Sequence, residues 1–181
     1  MNIVADLLTI FRGGCVFVIL LLGMQQGITV LPSVVFLTVL CWFSDILDGM
    51  LARKSHRLTN FGSFDVVFDV GLAIALPLFL FLGGILSLVP VVVVTGLTIL
   101  FGWIFHSSAP RKLAMGVSYA VFIFVVWQIN RKWFLILIGS VLLFMLFFPH
   151  RTRQQISEFL GDAGKILKEE HTVQIEKEKE K

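Results

Sequence analysis

Long apolar blocks alternate with short polar gaps along this chain, and that alternation limits what it can fold into. A helix crossing bilayer hydrocarbon needs about twenty mostly apolar residues, because there the backbone must satisfy its own hydrogen bonds. Six blocks are legible: approximately Gly13–Met24, extended through Val30 if it spans fully, Leu31–Arg53, Phe61–Gly84, Leu86–His106, Leu113–Ile129 and Lys132–Phe148. With 57% apolar and 15% charged residues among 181, a water-soluble domain is the wrong class. The pattern predicts an all-α integral membrane protein with six transmembrane helices. Ahead of the first block, Ile3, Leu7, Leu8, Ile10 and Phe11 recur at near-helical spacing with Asp6 and Arg12 among them. This predicts a short interfacial amphipathic helix feeding the first span, with a plain extension of that span as the alternative.

Orientation follows from Lys and Arg near the block ends. Arg53, Lys54 and Arg57 lie in the second gap, Arg111 and Lys112 in the fourth, and Arg151 and Arg153 after the sixth block. The first and third gaps carry no charge; only Arg131 and Lys132, in the fifth, argue the other way. The summed bias predicts a multi-pass protein of the inner or cell membrane with both termini cytoplasmic. Residues 1–150 read as the membrane domain and 151–181 as a cytoplasmic tail, where Ile156, Phe159, Leu160, Ala163, Ile166 and Leu167 form an amphipathic stripe before a charged end. The net charge of +3 comes without a basic stripe, which argues against nucleic acid. Cys15 and Cys41 both sit inside apolar blocks, so neither a disulfide framework nor a thiolate metal site is indicated.

The acids carry the chemistry. Between Leu7 and Ser157 there are four, Asp45, Asp48, Asp65 and Asp69, all in the two blocks flanking one basic gap. A single Asp at the centre of a spanning helix costs roughly 2.5–3.5 kcal/mol on insertion scales, so four together need compensation. Spacings of three and four put each pair on one helical face, and the short gap predicts that the two helices are antiparallel neighbours whose carboxylates converge. Four like charges stay ionised if divalent cations hold them, and all-oxygen ligation favours Mg²⁺, Mn²⁺ or Ca²⁺ over zinc. The bland alternative pairs the acids with Arg53, Lys54 and Arg57 as a salt-bridged hairpin. Gly49 and Ala52, one turn beyond Asp45 and Asp48, leave that face without bulk, as either a ligand or close helix packing would require.

Written out, Asp45-Ile-Leu-Asp48-Gly49-Met-Leu-Ala52-Arg53, then eight residues to Gly62, then Asp65 and Asp69, resembles the signature of the CDP-alcohol phosphatidyltransferases, D-x2-D-G-x2-A-R-x8-G-x3-D-x3-D. Leu7-Leu8-Thr9-Ile10-Phe11-Arg12 is similar to the family's opening segment. One departure stands out: only Ser63 and Phe64 separate Gly62 from Asp65, so a helix that includes Gly62 turns it by about 100° relative to the acids, while a loop absorbs the change. The resemblance implies that Asp45, Asp48, Asp65 and Asp69 bind two divalent ions, Mg²⁺ or Mn²⁺. It further implies that Asp69 is the general base and that Asp45, Gly49, Ala52 and Arg53 hold the CDP moiety. The implied reaction moves a phosphatidyl or related group from a CDP-linked lipid to a polar alcohol and releases CMP, in phospholipid biosynthesis. A homodimer is implied as well.

For the acceptor, the basic pair Arg111 and Lys112 in Ser107-Ser108-Ala109-Pro110-Arg111-Lys112 suits an anionic alcohol such as glycerol 3-phosphate or inositol phosphate, or else serves as a topology anchor. His106, Tyr119, Gln128 and Asn130 are further polar candidates. The small glycerol-phosphate-using members, which make phosphatidylglycerophosphate, supply the leading expectation. Two readings from other classes compete: a non-catalytic relative, and a cation transporter, which should offer acids along a path through the membrane.

Overall fold

The computed structural model describes residues 3–55, 62–104 and 108–147. Among them the chain forms six α-helices and no strand: α1 Ile3–Gln26, α2 Leu31–Ser55, α3 Gly62–Leu82, α4 Leu88–Ile104, α5 Ser108–Ile129 and α6 Arg131–Phe147, with a 3-10 turn Gly27–Val30 between α1 and α2. The expected all-α class holds and the six apolar blocks map onto the six helices. The tail from 151 onward lies outside the described residues.

The separate interfacial helix does not form, because α1 runs unbroken from Ile3 to Gln26. Its buried face keeps one phase throughout, through Asp6, Thr9, Arg12, Cys15 and Ile19, so no turn is needed between a surface segment and a span. The amphipathic pattern is real, but it faces inward: the polar residues are buried, while Leu7, Ile10 and Phe11 are exposed.

Chain reversals use residues suited to them. Gly27 (φ 59°) and Gly84 (φ 73°) adopt the left-handed conformation that favours glycine. At the end of α3 the Ile85 amide donates to the Leu80 carbonyl at 3.0 Å and the Gly84 amide to the Phe81 carbonyl at 2.9 Å, which is a Schellman cap. Asn130 separates α5 from α6, its Oδ1 accepting from the Lys132 amide at 3.0 Å as an N-cap does.

The packing corrects one expectation. Helices α2 and α3 are not neighbours: among the described residues no Cα of one comes within 8 Å of a Cα of the other, and α1 packs against both. Glycines allow this close approach of α1 to α3. A Cβ on Gly13 would stand 2.6 Å from the Phe68 ring, and one on Gly23 3.0 Å from the Phe79 ring, so small residues set the helix separation. On its other side α3 meets α4 and α5, and α6 closes onto α5 and α2. The core joins Ile19, Val34, Val35, Leu76, Phe79, Phe122, Val126 and Leu137.

Polarity is inverted relative to a water-soluble bundle. Arg12, Asp48, Thr38 and Ser118 are buried, while Phe17, Met24, Val89, Leu135 and Leu146 are exposed, as suits a molecule whose solvent is lipid. By length and composition, residues 6–48, which include most of α1 and of α2, and residues 110–129 are apolar enough to cross a bilayer, whereas Val66–Leu82 and Leu88–Phe101 are apolar but shorter.

Candidate active site

Three helices contribute to one charged cluster. Asp45 and Asp48 stand three residues apart in the second half of α2, Asp69 lies two turns into α3, and Arg12 sits midway along α1. Because α1 separates the two acid-bearing helices, its side chain reaches both. Arg12 Nη1 donates to Asp69 Oδ1 at 2.6 Å and to Asp45 Oδ1 at 3.2 Å, and Nη2 donates to Asp48 Oδ2. The guanidinium is 2% exposed and Asp48 8%, whereas Asp45 and Asp69 are 38% and 36% exposed. One side of the cluster is therefore sealed by Arg12 and Asp48, and the other opens outward past Asp45 and Asp69.

The electrostatics leave this cluster unbalanced. One guanidinium faces three carboxylates, so these four groups carry a formal charge of −2 when ionised. Buried ion pairs repay their desolvation only with good geometry, which the planar fork supplies by bonding acids on two helices at once. The donor set fits a hard divalent cation, since the groups converging on one point are carboxylate oxygens with neither thiolate nor imidazole among them. That point is taken by Arg12, and among the described residues no three His, Cys, Asp or Glu side chains form a group able to hold a metal ion as they stand.

The remaining predicted residues distribute as follows. Asp65 lies on α3 one turn before Asp69, and Gly49, Ala52 and Arg53 lie on α2 beyond Asp45 and Asp48; their side chains fall outside the described residues. Gly62 is the first residue of α3, so the two-residue spacing to Asp65 leaves it turned by about 100° relative to the acids compared with the family's spacing. Arg111 and Lys112 are the fourth and fifth residues of α5 rather than part of a gap. Lys112 shares a helical face with Tyr119, seven residues on, and Tyr119 lies within electrostatic reach of Asp69 and Asp45 and edge-on against Trp42 of α2 at 5.6 Å. The basic pair thus stands near the start of α5, about two turns before Tyr119. Gln128 and Asn130 are at the opposite end, and His106 lies outside the described residues.

Sequence reasoning missed Arg12 as a site residue, and with it the buried Asp6 and Thr9. A signal was available: Arg12 is the sole Lys or Arg before Arg53, and a cation in an apolar run needs an anion from elsewhere in the fold. The spacing of six from Asp6 to Arg12 also keeps Thr9 in phase with both, which marks a polar face rather than scattered polar positions.

Residues 2–148 match the family model described as CDP-alcohol phosphatidyltransferase. No curated protein and no solved structure matches the chain.

Proposed function

The chain belongs to the CDP-alcohol phosphatidyltransferase family, and on that premise we propose that it transfers a phosphatidyl group from a CDP-linked lipid to glycerol 3-phosphate. The coarser activity is the family's: it is a phosphotransferase that moves a phosphatidyl group from a CDP-alcohol to an alcohol acceptor, within phospholipid biosynthesis. One observation carries the site assignment, the convergence of Asp45, Asp48 and Asp69 from two non-adjacent helices onto a single cation position.

In this reading Asp45, Asp48, Asp65 and Asp69 are the ligands of two divalent ions, Mg²⁺ or Mn²⁺. The ions would supply charge neutralisation for the diphosphate leaving group. Asp69, on the more exposed side of the cluster, takes the proton of the acceptor hydroxyl. The acceptor oxygen bonds to the β-phosphorus, the bond from that phosphorus to the oxygen bridging to CMP breaks, and CMP leaves. Gly49, Ala52 and Arg53, beyond Asp45 on α2, receive the CDP moiety. Arg111 and Lys112 bind the acceptor's phosphate, a role supported by their place two turns before Tyr119, which lies within electrostatic reach of Asp69.

The membrane arrangement in this proposal has six spans, with both termini and the site on the cytoplasmic side. Arg53, Lys54, Arg57, Arg111 and Lys112 support that orientation. As the resemblance implies, the working unit is a homodimer. Purified protein given CDP-diacylglycerol, Mg²⁺ and a panel of alcohols tests the activity by CMP release. Release that depends on glycerol 3-phosphate is the expected result. Dependence on inositol phosphate instead would replace the acceptor, and no CMP with any alcohol would favour a non-catalytic relative.

A further inference from the structure

We propose that Arg12 is a built-in counter-cation that competes with divalent metal for the carboxylates of Asp45, Asp48 and Asp69, so that loading the site is an exchange in which the guanidinium leaves. The inference rests on the reading of these acids as metal ligands. Two observations carry it. First, one oxygen of each of three acids converges on the guanidinium: Asp45 Oδ1 and Asp69 Oδ1 share the same Arg12 nitrogen, at 3.2 and 2.6 Å, and Asp48 Oδ2 accepts from the other arm of the fork. Second, among the described residues no Cα of one acid-bearing helix comes within 8 Å of a Cα of the other, and α1 packs against both. A positive group on α1 is what holds carboxylates of α2 and α3 together across that gap.

The competition follows from charge and lone pairs. A carboxylate oxygen fully engaged by a guanidinium N–H is a poorer metal ligand, and a divalent ion placed among these oxygens would repel Arg12. With Arg12 seated, the four groups together carry a formal charge of only −2; with Arg12 gone the three carboxylates offer −3. Arg12 therefore tunes metal affinity downward and preserves the cluster while no metal is bound. It acts through the acids as a positioning residue and not as a catalytic one.

The test is direct Mn²⁺ binding to purified full-length protein in detergent, read by the electron paramagnetic resonance of free Mn²⁺. Arg12→Gln should bind Mn²⁺ about tenfold more tightly or better, the equivalent of losing one charge-assisted hydrogen bond. Its thermal midpoint should be lower than that of the parent without metal, and Mn²⁺ should raise it by more than it raises the parent's. Arg12→Lys, which keeps the charge but loses the fork, should fall between the two in Mn²⁺ affinity and carries the test if the Gln variant cannot be purified. Unchanged or weaker Mn²⁺ binding in these variants overturns the proposal. Asp48→Asn and Asp45→Asn separate the two levels of the argument. If neither weakens Mn²⁺ binding, the reading of the acids as ligands has failed; if they do weaken it and the Arg12 variants do not strengthen it, only the exchange has failed.

Discussion

The Phe68 ring occupies the space that a side chain on Gly13 would need, with Cε1 2.6 Å and Cζ 2.9 Å from the position of a Cβ there. Gly13 follows Arg12 and Phe68 precedes Asp69, so this contact sets how far the guanidinium stands from the α3 carboxylate. Gly13→Ala should push the helices apart, costing about 1–3 kcal/mol by overpacking and lengthening the Arg12–Asp69 bond. Pairing it with Phe68→Leu should recover most of the loss. Thermal midpoints of the two single variants and the double variant check this, and strictly additive losses would show that the close approach does not matter.

Asp69→Asn should lower CMP release by about 10²–10⁴-fold, the usual contribution of a general base. Binding of the CDP-linked lipid should persist, because Asp45, Asp48 and the α2 residues beyond them are untouched. Turnover assays beside a nucleotide-binding measurement check the split. Near-parental turnover would move the base to another residue.

The helices and the acid positions were legible because both are local properties: apolar run length sets a helix, and spacings of three and four set its faces. What was not legible depended on which helix lies beside which. The short basic gap between Arg53 and Gly62 predicts that α2 and α3 are direct neighbours, yet α1 separates them, and the close approach that lets α1 in depends on the fit of Gly13 against Phe68. Arg12 could therefore be read as a family landmark or a helix-end residue, but not as the group that bridges acids 33, 36 and 57 positions away. Inward and outward facing are likewise ambiguous in sequence. The stripe through Asp6, Thr9 and Arg12 suits a water-facing surface as well as it suits a polar seam inside a lipid-exposed bundle.

Thr98 of α4 and Ser118 of α5 are buried, and their hydroxyl oxygens lie 3.0 Å apart. Thr98 also donates to the Val94 carbonyl at 2.8 Å; a hydroxyl has one proton, so Ser118 is the donor in the interhelical bond. A double-mutant cycle with Thr98→Val and Ser118→Ala should give a coupling of about 0.6 kcal/mol, the usual size inside a membrane bundle. A coupling near zero in reversible unfolding would mean that the two helices are held by packing alone.

Arg111→Ala combined with Lys112→Ala should raise the KM for glycerol 3-phosphate while leaving the KM for the CDP-linked lipid nearly unchanged. Both residues lie near the start of α5 and are half-buried, and the helix runs from them to Tyr119, within electrostatic reach of Asp69. A phosphate held by two cations at that end would leave the acceptor's hydroxyl free to extend toward the base. Losing one charge-assisted contact costs about 1.5–3 kcal/mol, so the rise should be tenfold or more. An uncharged alcohol such as glycerol, used as a poor acceptor, should show no such change. If the acceptor KM stays fixed and the protein inserts in altered orientation instead, the basic pair is a topology anchor and the phosphate is held elsewhere.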